Sequence, residues 1–464
     1  MKKTGFGICL CISLLFCACN GSEEGKKSKS VLYSVDFEQT YSYMDLQKRD
    51  IQFISKALSM LDSPIVRSSN SFTSFISKIL SKPNDGIKFL KIKYWTTDAA
   101  GNPTLATAAV FVPQIKEGNG NKYPILSVQH TSCQDRDASP SRLIANGPYY
   151  NLDQKISQSA EMRVFEAFST FGYIVVVPDN IGLGDNYCVY PFATRVAAAP
   201  VVDAIRAVTE LDAAGADAVW DGGNVSLIGY SEGGYTSMIA AEMLQEQYAD
   251  EFNVQAAACM AGCFSISKVM MKLFLTADSR YPTPYVVPLF LKALSDQYKD
   301  KYPQYSFERM VKEKAPYDDR FFAKLTDMIN SFEGSYMIDS LIVKTFGSEY
   351  SQMGPKVIIQ DEFLRELQTE NSLIDTLLAL NDSYNWCPRM PLKMIHYIND
   401  DMIPYQNSVY ADSAFAANGS ASVYFDTFYD LPDIMNNELE HVRVYLPIID
   451  KGFTWLDGIV HPKN

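Results

Sequence analysis

The stretch Asn224-Val225-Ser226-Leu227-Ile228-Gly229-Tyr230-Ser231-Glu232-Gly233-Gly234-Tyr235-Thr236-Ser237-Met238-Ile239-Ala240-Ala241 decides how this chain is read. Residues 224–228 have the apolar, β-branched character of a short buried strand, and the run from Tyr235 onward has helical composition. Between them lies G-x-S-x-G. A serine in that pattern, with a strand before it and a helix after it, marks a nucleophile elbow. The turn is too tight for large residues two places either side. It carries the hydroxyl to the C-terminal edge of a sheet, with the next N–H positioned for an oxyanion.

Working outward, the chain alternates strand and helix. On the N-terminal side, Phe89–Tyr94 and Ala106–Val112 read as a hairpin around the turn 98–103. Tyr123–Gln129 reads as a buried strand, Glu161–Thr170 as a helix, and Tyr173–Val177 as an unbroken apolar strand closed by Pro178-Asp179. Val196–Ala213 is a helix, Tyr235–Tyr248 a helix, and Val254–Met260 a strand. Strands alternating with helices imply βαβ units and a mostly parallel sheet covered on both faces. The fold class is therefore α/β.

The alternation stops after Gly262. A helical stretch rich in aromatics and methionine follows, and strands return at Leu392–Tyr397 and Ser422–Phe428 before a last helix near Val442–Leu456. The expected organisation is a sheet core over 36–263, opened by N-terminal helices (43–61 and 72–80), then a helical cap over 264–385, then the rest of the core over 386–464. Met270, Met271, Phe274, Phe290, Phe321, Phe322 and Met328 of the cap are candidates to line an acyl pocket, although most such residues serve as core.

A serine nucleophile needs a base, and the base needs a carboxylate to fix its tautomer. The order in this kind of fold is Ser, then Asp or Glu, then His. The chain has four histidines, His130, His396, His441 and His461. His441 follows the last strand and precedes the last helix, which puts it on a loop at the edge where Ser231 opens. His461 lies at the terminus, and His396 lies inside a strand where its ring packs or bonds locally. The acid is Asp400, in the register G-x-x-D-x-x-V-P over Tyr397-Ile398-Asn399-Asp400-Asp401-Met402-Ile403-Pro404, with Asp401 the competitor. An oxyanion needs two N–H donors. Glu232 supplies one, and Thr131 or Ser132 the other, with His130 either supporting that loop or purely structural. No metal or cofactor enters this chemistry.

The N-terminus reads as an export signal. Met1-Lys2-Lys3 precedes an apolar run from Phe6 to Ala18, too short to span a membrane as a mature helix. Ala18-Cys19 resembles a bacterial lipobox, so residues 1–18 are expected to be removed and Cys19 lipidated, with 19–35 a flexible tether to the membrane. The cysteines outside this region are Cys133, Cys188, Cys259, Cys263 and Cys387, an odd number whose pairing the sequence leaves open. No CxxC or adjacent histidine points to zinc. A net charge of −13 without a basic patch excludes nucleic acid as a partner. Oligomeric state is not legible.

Several ordered motifs then resemble one family. Ser127-Val128-Gln129-His130, Val177-Pro178-Asp179-Asn180-Ile181-Gly182-Leu183-Gly184, Asp203-Ala204-Ile205-Arg206-Ala207 and the Ser231 elbow are similar to the secretory lipases of the α/β-hydrolase superfamily. The resemblance implies Ser231, Asp400 and His441 as a triad, a helical lid after the strand that follows the nucleophile helix, and hydrolysis of carboxylic esters. Thr131 departs from the glycine common after the histidine of the oxyanion strand. Glu232 departs from the usual amide or small residue, and its side chain is expected to face solvent. The expected function is an exported serine esterase or lipase. The alternatives are a prolyl-oligopeptidase-like serine peptidase, a polysaccharide deacetylase, or a non-catalytic binding lipoprotein on a hydrolase scaffold. No propeller repeat supports the peptidase, and the ordered Ser, Asp and His count against a mere binder.

Overall fold

Apolar runs without a polar face are stable as strands only when both faces are covered. The computed structural model describes residues 30–46, 48, 86–114, 122–145, 156–332, 334–430 and 439–462. The strands are β1 Leu32–Ser42, β2 Gly86–Thr97, β3 Pro103–Pro113, β4 Lys122–Gln129, β5 Ile174–Pro178, β6 Val219–Tyr230, β7 Asn253–Met260, β8 Leu392–Tyr397 and β9 Val423–Phe428. They form one nine-stranded sheet in the order β1-β2-β3-β5-β4-β6-β7-β8-β9. Pairing is antiparallel from β1 through β3 to β5. It is parallel from β5 to β9. The α/β-hydrolase architecture expected from the elbow is the one observed.

Side-chain alternation splits the core in two. Ile125, Ile174, Val176, Val225, Leu227 and Cys259 join Val201 and Ile205 of the helix Ala199–Thr209 and Met238 of the helix Glu232–Gln247. The next residue along each strand points the other way. Leu126, Val175, Val177, Ile228 and Met260 join Phe165 and Phe168 of the helix Ile156–Ser169 and Ile448 and Phe453 of the helix Tyr445–Val460. The Phe168 and Phe453 rings stack at 4.0 Å. Full burial of each such side chain stabilises by ~1.5–3 kcal/mol, so neither face of the sheet is dispensable.

Helices occupy the stretch between β7 and β8, from Met271–Thr276 to Leu373–Ala379. Its two ends meet where Ser383 N–H donates to Phe264 O at 3.0 Å. Many of its buried residues, among them Phe290, Phe321 and Phe346, belong to the first core cluster.

One expectation needs correction. The proposed tether, 19–35, runs into β1, whose Val35 pairs with Ile92 of β2. Val31 and Leu32 N–H both donate to the Glu210 carboxylate at 3.0 Å. The reason is that β1 has apolar residues for both faces of the sheet: across an irregularity between Val35 and Phe37, Val35 packs against the first cluster and Phe37 and Tyr41 against the second, with the Tyr41 ring edge-on to Phe89 at 4.8 Å. Between β8 and β9 lies a helix, Gln406–Ala417. Parallel neighbours need a crossover, and a helix supplies it. Of the expected N-terminal helices, residues 43–46 are helical, and 72–80 lies outside the described residues. So do the export signal, Cys19 and the tether up to residue 29. Cys133, Cys188, Cys259, Cys263 and Cys387 are free thiols.

Candidate active site

The chain turns from β6 into the helix Glu232–Gln247 at a single residue, Ser231, with φ 61° and ψ −126°. A non-glycine residue there is strained by ~1–3 kcal/mol and must be held by its surroundings. Ser231 N–H donates to Met260 O on β7 at 2.9 Å, and Ser231 O accepts from Tyr235 N–H at 3.1 Å. The flanking glycines explain the closeness of the turn. A Cβ on Gly229 would lie 2.2 Å from Gly233 O, and one on Gly233 would lie 2.1 Å from Gln129 O on β4. Both contacts are with backbone, which cannot step aside. Ser231 therefore stands at the end of β6 with the unpaired N–H groups of a helix start beside it.

His441 sits in a short helical turn, Glu440–Arg443, and is buried. Its Nδ1 lies 2.6 Å from Asp400 Oδ2. Next to a carboxylate, Nδ1 carries the proton, which leaves the lone pair on Nε2. That Nε2 is buried and makes no hydrogen bond among the described residues. Its environment is tied to the elbow through Tyr230, the residue before Ser231. The Tyr230 hydroxyl donates to His441 O at 2.7 Å, and the two rings lie 4.9 Å apart.

Asp400 is wholly buried at its side chain. Its Oδ1 accepts from Met402 N–H at 3.0 Å and Ile403 N–H at 2.8 Å. Burial alone raises such a pKa, but the His441 imidazole, with His396 behind it, holds Asp400 well below the usual carboxylate range. Asp401 does a different job. Its two oxygens accept from Glu440 N–H and His441 N–H, both at 3.0 Å, so it caps the turn that carries His441.

The other three histidines have their own partners. His396 bonds locally, with Nδ1 2.7 Å from the Ser408 hydroxyl and Nε2 2.9 Å from Ile403 O. Its Nε2 also stands 3.5 Å from Asp400 Oδ2, a supporting role that its place in a strand did not reveal. His461 pairs with Asp457 at 3.0 Å. His130 is buried, its Nδ1 2.6 Å from Thr131 O, and burial brings its pKa down to about 4.

The oxyanion loop corrects two expectations. Thr131 N–H donates to Glu161 Oε1 at 3.0 Å, and its hydroxyl donates to Glu161 Oε2 at 3.0 Å. That N–H is already used, which leaves Ser132 as the loop candidate. Ser132 lines the same cleft as Ser231. The second correction is Glu232. Its side chain does not face solvent but is only 3% exposed, and Oε2 accepts from the Tyr190 hydroxyl at 2.6 Å. Burial lifts its pKa to about 7, against the pull of Tyr190, Ser132 and the Ala193 N–H. A carboxyl next to a nucleophile folds inward here because Tyr190 is there to receive it.

A narrow cleft opens above Ser231, lined mostly by apolar side chains. Ile266, Met270, Phe274, Tyr281, Tyr285 and Phe290 bring apolar surface from the helical insertion, and Phe192, Met402 and Ile403 from the core loops. Met270, Phe274 and Phe290 were among the candidate acyl-lining residues. The other four do not line it, and Met271 and Phe321 are buried in the core instead.

The fold has wide structural likeness. A Legionella pneumophila protein superposes with a TM-score of 0.65 at 21% identity, covering 94% of this chain and 100% of that one. The rice cell wall degrading esterase LipA from Xanthomonas oryzae follows with 0.63 at 19%, covering 92% and 96%. Candida antarctica lipase A gives 0.55 at 20%, covering 82% and 79%. At these identities the likeness establishes the fold alone. No curated protein matches the chain in sequence. The family signal is in the sequence pattern itself: the secretory lipase model matches residues 152–458, from the helix before β5 into the last helix, and the chain belongs to the secretory lipase family of ester hydrolases.

Proposed function

We propose that the protein hydrolyses carboxylic esters through Ser231, His441 and Asp400. The observation that carries this reading is the 2.6 Å pair of His441 Nδ1 and Asp400 Oδ2, bound through Tyr230 to the strained turn that presents Ser231. His441 Nε2 takes the Ser231 proton as the oxygen attacks the ester carbonyl. The tetrahedral oxyanion is met by Glu232 N–H and Ser132 N–H. His441 then returns the proton to the leaving alcohol, and an acyl-enzyme remains. Water activated by the same Nε2 releases the acid. Asp400 keeps the proton on Nδ1 throughout, and Asp401 holds the backbone of His441 in place.

The apolar cleft suits an acyl group, with Met270, Phe274 and Phe290 against it. The apolar N-terminal run and Ala18-Cys19 support export and anchoring to a bacterial membrane through a lipid on Cys19. Loss of palmitate labelling in Cys19→Ser, with the protein released from the membrane fraction, is the expected result for that anchor.

The decisive test is Ser231→Ala against a p-nitrophenyl ester series from acetyl to palmitoyl, with an acetylated glycan and a proline arylamide alongside. Turnover is expected to fall by at least ~10⁴-fold while the protein stays folded. A variant as active as the parent removes Ser231 as nucleophile. Cleavage of the arylamide and not the esters would replace an esterase by a peptidase.

A further inference from the structure

Glu232 does two things at once. Its N–H is the first donor of the proposed oxyanion hole, and its side chain turns back into the wall of the same cleft. The carboxyl meets three pieces of chain there. Tyr190 donates from the loop after β5, and Ser132 and the Ala193 N–H approach from the oxyanion loop and the turn beyond Tyr190. Ala193 itself is held at φ 51°, so that turn is fitted closely. Glu232 Oε1 is buried and closes no hydrogen bond of sound geometry among the described residues. Further out, the Cys263 thiol faces it from just beyond β7 and the Tyr285 hydroxyl from the insertion. Among the described residues no Lys or Arg faces it, so no cation there neutralises an ionised carboxyl.

We propose that Glu232 is a positioning residue that serves the oxyanion hole as a neutral acid, fastening Ser132 and the Tyr190–Ala193 turn around the nucleophile, and that its ionisation sets an alkaline limit on turnover. The physical reason is charge. During attack, negative charge develops against the N–H of this same residue. A carboxylate within one side-chain length, in a water-poor cleft, repels it, whereas a carboxylic acid does not. Burial places the exchange of one form for the other near neutral pH, since its pKa is lifted to about 7. This inference rests on the ester-hydrolase reading, and deepens it by naming what limits the oxyanion hole.

The test compares kcat at pH 9 with kcat at pH 7 within each variant, so that differences in basal rate cancel. The parent is expected to lose about tenfold between the two, from repulsion between unit charges a few ångströms apart. Glu232→Gln keeps the shape and loses the charge, and its ratio is expected near one. Tyr190→Phe removes the donor that favours the carboxylate, so the fall moves to higher pH. The inference is overturned if Glu232→Gln falls as the parent does, or if Tyr190→Phe leaves the limb where it was. A thermal melt against pH gives a readout that needs no turnover. A carboxyl whose folded pKa is raised costs stability as pH climbs from its unfolded value to about 7, so Glu232→Gln should gain more over the parent at pH 8 than at pH 4. An equal gain at both removes the buried acid. If Ser231→Ala retains full activity while the melts behave as expected, the esterase reading fails and the buried acid stands without its role.

Discussion

Asp400 and Asp401 are neighbours in sequence, and the structure gives them separable work. Replace Asp400 by Asn, and the amide oxygen can still accept from Met402 and Ile403 N–H. The amide nitrogen then faces His441 Nδ1, formerly 2.6 Å from a carboxylate, and His396 Nε2 at 3.5 Å. Both are donors in the parent, so His441 shifts its proton to Nε2. With Nε2 protonated, no lone pair remains to take the Ser231 proton. The analogous change in other triads costs ~10⁴-fold in kcat. Losing charge-assisted bonds from a fully buried acceptor costs a further ~1.5–3 kcal/mol of stability. Asn at 401 is milder. It can accept from His441 or Glu440 but not both, which weakens a cap worth ~0.5–2 kcal/mol and loosens the turn. Its kcat should fall by no more than ~10-fold. Single-turnover and steady-state hydrolysis of a p-nitrophenyl ester, with a thermal melt for each variant, separates the two. If Asp401→Asn abolishes turnover while Asp400→Asn stays within tenfold of the parent, the acid has been assigned to the wrong residue.

Three further results are expected. Gly233→Ala puts a methyl 2.1 Å from Gln129 O and should destabilise by ~1–3 kcal/mol while displacing the start of the nucleophile helix; an active, fully stable variant would mean that the turn is looser than it looks. Glu161 is raised by burial to about 7, Asp179 to about 6 and Asp339 to about 7, so each costs stability as pH rises from its unfolded pKa to those values. Asp400 is depressed and acts in the opposite sense, losing its contribution only on acidification. The melting temperature should therefore peak at about pH 5 and be lower at pH 8; a steady rise from 5 to 8 contradicts the buried acids. Glu161→Gln can accept from the Thr131 N–H or hydroxyl but not both, so a several-fold drop in kcat with KM little changed is expected as the oxyanion loop relaxes.

The sheet was legible because its strands repeat apolar residues without a polar break, and such a pattern has few other homes. β8 could be read to the residue, and β7 within one. β1 could not, because Val35, Phe37 and Tyr41 are separated by Asp36, Gln39 and Thr40 and their partner β2 is fifty residues away. The order β5-β4-β6 was equally hidden, since it depends on which strand lies beside which and not on any strand's own composition.

At the site, short-range chemistry speaks through sequence. Gly229, Ser231 and Gly233 are read in a row because the turn that needs them is local. The nomination of Asp400 and His441 rested on chain order and turn register. What each carboxyl touches is another matter. Glu161 engages Thr131 across 30 positions, Tyr190 meets Glu232 across 42, and Asp400 meets His441 across 41. These pairings are settled only when strands have stacked and loops have closed, because burial energy is shared among distant segments. The sequence alone determined the strand-turn-helix that presents Ser231 and the residue types able to act with it. Only the tertiary structure decided that Thr131 is occupied, that His396 stands behind Asp400, and that Glu232 turns inward. The direction of a side chain is set by the neighbours that desolvate it, and those neighbours are far away in the chain.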